Sequence, residues 1–161
     1  MVRVDIAPAT LDHARELAPR MRRADVLEVA ATSGRTPLQA LEHALEVSDE
    51  VWAALFDGAV ACLWGVVPLR RSVVSGRVGA AWLLTGDLVD RHPRAFWRHC
   101  RRELAGLFER WDVLVNAMDC RNTPALRWGE RLGFRLEDPQ AFGVEGLPFR
   151  RFSVRKEHLH V

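Results

Sequence analysis

Residues 113–134 read VLVNAMDCRNTPALRWGERLGF, and the fold class follows from how that stretch divides. The apolar run at 113–118 is typical of a central strand covered on both faces. Thr123-Pro124 then opens a helix, with proline in the first turn, where a missing N–H costs nothing. Gly133 stands where a helix ends through a left-handed residue, and Phe134 begins the next strand, 134–136. A strand that feeds a helix and returns to a strand predicts a mixed α/β domain.

The flanking segments extend the pattern. Phe96, Cys100, Leu104, Leu107, Phe108 and Trp111 recur at helical spacing, which predicts a long helix over 92–110. Residues 50–56 and 59–67 are rich in Val, Trp and Phe, and Asp57-Gly58 between them predicts a hairpin. A polar loop at 70–77 leads to a strand at 80–84 that ends on Thr85-Gly86-Asp87. Near the N-terminus Val2, Val4 and Ile6 alternate with Arg3 and Asp5, as in a strand. Thr10 caps a helix bearing Leu11, Ala14, Leu17 and Ala18, which Pro19 ends. Helices at 23–31 and from Pro37 follow, the second with Leu38, Leu41 and Leu45 inward. A strand at 149–155 closes the order. The expectation is a single domain over residues 1–156, a sheet of six or seven strands flanked by helices, with 157–161 as a frayed tail.

Composition narrows the function. A chain of 161 residues with 48% apolar and 27% charged residues is ordinary globular material. No window approaches the roughly 18 apolar residues of a membrane span, and residues 1–10 lack the apolar core of a secretory signal, so no membrane partner is expected. A formal charge of +2 is too small to argue for nucleic acid by itself. Cys62, Cys100 and Cys120 lack zinc spacing, and His92, His99, His158 and His160 do not converge, so no metal site is expected.

The spacing Asn122-x-x-Ala125 with Gly133-Phe134, directly after an apolar strand, resembles the NxxA…GF signature of the GNAT (N-acetyltransferase) superfamily. The resemblance implies a GNAT-like acyl-CoA N-acyltransferase fold, with a site between the fourth and fifth strands where Asn122 bonds a ligand's amide arm. A narrower resemblance runs through residues 17–34, 82–98 and 142–155, which are similar to a family of short-tailed bacteriophage internal virion proteins A, also described as acetyltransferases. It implies a phage origin, a place in the virion or the host cytoplasm, and other virion proteins or further copies of the chain as partners.

Against the superfamily pattern the site reads as degenerate. Its members seat the coenzyme's diphosphate on [Q/R]xxGx[G/A] amides at a helix N-terminus. Here Arg91-His92-Pro93-Arg94-Ala95-Phe96 keeps the arginine, but Arg94 and Phe96 stand at the small positions and Pro93 removes a donor. Gly76-Arg-Val-Gly79-Ala-Ala81 matches better but precedes a strand, which leaves Thr85-Gly86 as a replacement loop. The candidate cofactor contacts are therefore Thr85, Gly86, Arg91, Arg94 and Asn122. The superfamily's usual acid is a tyrosine on the motif helix. This chain has none, and Gly129 holds that place, with Cys120 or water as substitutes. Glu50, Asp87 and Asp119 are the candidate bases, each with a plainer role: solvent-facing, turn-capping and strand-ending. No catalytic residue is assigned.

The expectation is thus a GNAT-fold structural or interaction component of the virion, with no cofactor and with Phe96 and Arg94 filling the cleft. The alternative is an acetyl-CoA-dependent N-acetyltransferase acting on a host protein or small amine. Arg94, Arg98, Arg101 and Arg102 form a ridge suited to an acidic partner or DNA, beside Trp97 as an interface anchor. The loop 142–148 either packs on the core or presents a sticky surface.

Overall fold

Asp57 and Gly58 make the expected tight turn, both at positive φ (49° and 86°), and the sheet grows from the hairpin they close. The computed structural model describes residues 1–160, apart from the side chains of Arg70 and Ser72. Strand β1 (Val4–Pro8) pairs with β2 (Glu50–Phe56), β2 with β3 (Ala59–Ser72), and β3 with β4 (Gly76–Thr85), all antiparallel. The expected polar loop at 70–77 is therefore mostly strand. Asp112 explains the extension: its carboxylate accepts the Arg77 N–H at 2.7 Å and its own N–H donates to Arg77 O at 2.9 Å, so the turn end of the β3–β4 hairpin is pinned.

Helix α1 (Leu11–Leu17), α2 (Arg23–Ser33) and α3 (Pro37–Val47) lie between β1 and β2 in sequence. Thr10 and Thr36 cap α1 and α3 through reciprocal side-chain bonds to the first turn. After β4 come a four-residue helix α4 (Leu88–Arg91), the long α5 (Pro93–Leu107), β5 (Val113–Asp119) and α6 (Thr123–Leu132). Strands β6 (Arg135–Leu136), β7 (Gln140–Phe142) and β8 (Leu147–Arg155) complete an eight-stranded sheet in the order β1-β2-β3-β4-β5-β8-β6, with β7 also on β8. The strand beyond the expected six or seven is β7, too short to stand out among its Gly and Pro neighbours. The β4–β5 pair is the parallel one.

Each face of the sheet carries a core. Leu17, Val29 and Leu41 of α1–α3 pack on Ala53, Val60 and Leu63, while Leu104, Leu107 and Leu132 of α5 and α6 pack on Phe56, Leu114 and Phe152. Loop 142–148 docks on the end of α2, where the Val144 and Glu145 N–H groups donate to Thr32 O and Ala31 O (3.2 and 3.3 Å), and Phe142 packs on Phe149. Only Val144, 68% exposed, presents an apolar surface.

The expected frayed tail is held down as far as it is described. Lys156–His158 form a 3₁₀ turn, Leu159 packs on the core and the His160 N–H donates to Leu132 O at 3.1 Å. This docking depends on Gly133, the left-handed cap of α6 (φ 95°), where a Cβ would lie 1.9 Å from His158 O. Gly133→Ala is expected to cost about 2 kcal/mol or more in urea unfolding and to expose residues 156–160 to protease, because backbone must move. An unchanged midpoint would remove Gly133 from this role.

Candidate functional site

Strands β4 and β5 start as neighbours and then part. They pair at Val78↔Val113, Gly79↔Leu114 and Ala80↔Val115, and no further. At the point of separation the Asn116 side chain replaces the missing strand: its Nδ2 donates to Ala81 O at 2.8 Å, while its Oδ1 accepts the Ala117 N–H at 2.8 Å. Strand alternation turns the N–H and C=O of Leu83 toward the same gap.

Beyond the gap the end of β4 is captured by α2. Asp25 Oδ2 accepts the Thr85 N–H at 2.9 Å and a short bond from the Thr85 hydroxyl, while Thr85 O accepts the Arg22 N–H at 2.9 Å. Asn122, 3% exposed at the start of α6, donates from Nδ2 to Asp25 Oδ1 (3.4 Å) and Glu28 Oε2 (3.2 Å), and its Oδ1 caps Ala125 N–H (3.4 Å). Glu28 Oε2 also accepts the Asp119 N–H at 3.0 Å. Glu28 Oε1 has no hydrogen-bond partner among the described residues.

A cavity of about 470 Å³ fills the gap and opens to both faces of the sheet. The α5–α6 side is mainly aromatic and aliphatic, with Phe96, Leu104, Trp128 and Phe134 in the wall beside His99 and Glu103; the α2–α3 side carries Asp25, Glu28 and His43. Phe96 stacks on Trp128 (6.1 Å, 25°), which meets the Phe134 edge. Trp128 Nε1 is buried there without a hydrogen-bond partner. Burial pushes the Glu28 carboxyl up to about 7, with Asp25 and Asp119 adding repulsion and the bonds from Asp119 N–H and Asn122 opposing it. Burial also raises Asp25 despite its bonds from Thr85 and the nearby Arg22 charge. Desolvation raises Asp119 as well, but its bonds from the Arg121 guanidinium (2.6 Å) and backbone N–H outweigh that and hold it low.

The sequence candidates fall out as follows. Thr85 and Asn122 reach the cavity wall, yet their polar atoms serve the Asp25–Glu28 cluster. Gly86 is packed, not open: a Cβ would stand 2.9 Å from Leu17, and its N–H donates to Ala61 O (2.8 Å), as the Asp87 N–H does to Arg20 O (3.1 Å). Arg91 is exposed and bonded to Asp87 at 2.6 Å, outside the cavity. Arg94 does not fill the cleft. It lies on the outer face of α5, and only Phe96 lines the cavity.

Gly129 allows α6 to approach the sheet, since a Cβ would meet Phe134 and Met118 at 3.2 and 3.3 Å, so a tyrosine has no room there. Cys120 is outside the cavity wall. Asp87 is tied to Arg91 and Arg20. Glu50 is not solvent-facing as expected: its side chain is 10% exposed and bonded to Trp52, Arg110 and Trp111. Among the described residues no cluster of His, Cys, Asp and Glu suits a metal ion, and no helix is long and apolar enough to cross a membrane. The candidates that the sequence reading missed are Asp25, Glu28 and Trp128.

These features bear on coenzyme A. The bare β4 edge suits an extended arm such as pantetheine, but the spent amides of Gly86 and Asp87 offer a diphosphate no cradle in the turn after β4.

No family model and no curated protein matches the sequence. Solved structures do. The chain is similar to an N-acetyltransferase from Staphylococcus aureus Mu50 (TM-score 0.68, 9% identity, covering 96% of this chain and 99% of that one). It is also similar to an acetyltransferase of the GNAT family from Streptococcus pneumoniae (0.60, 14%, 95% and 99%). A third likeness is to yncA from Salmonella typhimurium, solved with its cofactor acetyl-CoA (0.63, 16%, 98% and 96%). These likenesses establish the GNAT acetyltransferase fold: an open mixed sheet flanked by helices.

The raised Glu28 carboxyl has a consequence for stability. Between its ordinary value near 4.5 and about 7, the folded chain holds a proton that the unfolded chain releases. Its contribution is full below that window and is lost as pH rises through 7. Glu28→Gln, which keeps an acceptor for the Asp119 N–H, should therefore raise Tm relative to the parent by a few degrees at pH 8 and by less at pH 5. Equal shifts at both pH values would show that Glu28 ionises normally.

Proposed function

We propose that the chain is a GNAT-fold N-acyltransferase that takes an acyl thioester into the β4–β5 cleft and passes the acyl group to an amine approaching from the α2 side. The observation that carries this reading is the bare edge of β4, whose Leu83 N–H faces a cavity walled by Glu28 and Trp128. A donor left so costs about 1–3 kcal/mol, which a polar atom of a ligand would recover. The Leu83 backbone would hold the extended arm as a neighbouring strand holds its partner.

Glu28 is the base this geometry offers. A carboxyl near 7 is about half ionised at neutral pH and takes a proton more readily than an ordinary carboxylate does. As the amine nitrogen bonds to the thioester carbonyl carbon, its proton passes to Glu28 and the C–S bond breaks. A thiol of pKa about 8.5 leaves without an obligatory acid, so water suffices where Gly129 excludes tyrosine. The Trp128 ring walls the apolar side of the cleft, and its buried Nε1, a donor only, meets a ligand once the ring turns.

A second reading, the interaction component of a phage particle suggested by the narrower resemblance, is favoured by the spent Gly86 and Asp87 amides. Calorimetry with octanoyl-pantetheine and acetyl-CoA separates the two. The acyltransferase reading expects thioester binding, and thiol release with a panel of amines that rises through pH 7. Glu28→Gln should lower kcat/KM roughly a hundredfold with binding kept, and Trp128→Phe should weaken binding about tenfold. If neither thioester binds at millimolar concentration, only the second reading survives.

A further inference from the structure

We infer that the acyl donor is delivered by an acidic carrier protein, whose phosphopantetheine arm enters the cleft while its body docks on the arginine face of α5. The inference rests on the acyltransferase reading and concerns where the rest of the donor sits.

The mouth of the cleft is made for one phosphate, not two. With the turn amides consumed and proline at position 93, the free donors at the start of α5 are the Arg94 and Ala95 N–H groups, since Phe96 N–H already bonds His92 O at 3.0 Å. A pantetheine arm tethered to a protein carries a single phosphodiester, which two amides and the Arg94 side chain would satisfy.

From that mouth a positive ridge runs along the outer face of α5. Arg94, Arg98, Arg101 and Arg102 recur at helical spacing over about 12 Å. None of the four is in an ion pair among the described residues, and they lie together on one helix face. They border a shallow depression of about 670 Å³ that includes Trp97, with Arg101 6.0 Å above its ring. Pro93 lines both this depression and the cavity, so the ridge starts where the arm would enter. A free nucleotide would engage the arginine at the mouth and leave those two turns away unused. An acidic helix laid along α5 would use all four, with Trp97 as its apolar anchor.

Calorimetry with a bacterial acyl carrier protein in its octanoylated form, octanoyl-CoA and octanoyl-pantetheine, at about 50 and 200 mM salt, tests this. The expected result is octanoyl-carrier binding at least roughly tenfold tighter than octanoyl-CoA, falling steeply with salt. The Arg98→Glu/Arg101→Glu variant should lose about tenfold or more for the carrier and nothing for octanoyl-pantetheine, which touches the cleft alone. Arg98 is exposed and Arg101 half-buried over Trp97, so an unchanged Tm is required of the variant before its binding is read. Carrier binding that is absent, or indifferent to the substitutions, overturns the inference, as does octanoyl-CoA binding as tightly or weakened equally by them. Failure of octanoyl-pantetheine as well sinks the acyltransferase reading itself.

Discussion

The separation of β4 from β5 is the constraint on which the site depends, and two side chains impose it. Asn116 supplies to Ala81 O the hydrogen bond that a continuing β5 backbone would have given. Asp25 then takes the Thr85 N–H and hydroxyl and draws the end of β4 toward α2. Each group satisfied in this way weakens the drive to close the ladder, and between them the Leu83 N–H and C=O stay turned to the gap. With Ala81 O and Thr85 N–H satisfied by side chains, the two strands part beyond Ala80 and Val115.

This arrangement places charge where charge is costly. Asp25, Glu28 and Asp119 crowd the ends of β4 and β5, and one guanidinium, Arg121, bonds only the last of them. Three ionised carboxylates there would repel one another in a poorly solvated setting. The cluster settles the conflict unevenly: Asp119 stays ionised against Arg121, Asp25 is spent on Thr85 and Asn122, and Glu28 keeps an uncommitted oxygen and a carboxyl near neutrality. A group of this sort lowers stability in exchange for reactivity, a common relation at functional sites.

Local signals carried the fold. The Asp57-Gly58 turn, the apolar stripe of α5 and the Gly133 cap each act within a few residues, so spacing alone reveals them. The site was less legible. The same periodicity that puts Phe96 with Cys100 and Leu104 puts Arg94 with Arg98 on the opposite face, so Arg94 in the cleft contradicted a pattern already visible. Asp25 and Glu28 stayed hidden for another reason. A search for apolar stripes passes over a helix whose inward row is Asp25, Glu28 or Val29, and Thr32, and nothing local says that its partners are Thr85 and Asn122, 60 and 97 residues from Asp25. Trp128 read as core, and it does pack there, but spacing does not show that its buried nitrogen lacks a hydrogen-bond partner among the described residues.

The superfamily-like positions are thus occupied in form and reassigned in task. Asn122 caps α6 and steadies Glu28, and has no polar atom left over for an amide arm. Gly86 is small because Leu17 and the Arg20 carbonyl press on it, and Gly129 because Phe134 does. Under the proposed reading, guanidinium groups on α5 take the outer end of the donor in place of the spent turn amides. Side chains on a helix face read the shape and charge of a protein surface better than the bare geometry of a diphosphate. That shift in recognition, from main chain to arginine, is why a tethered donor rather than a free coenzyme is the occupant we propose for the cleft.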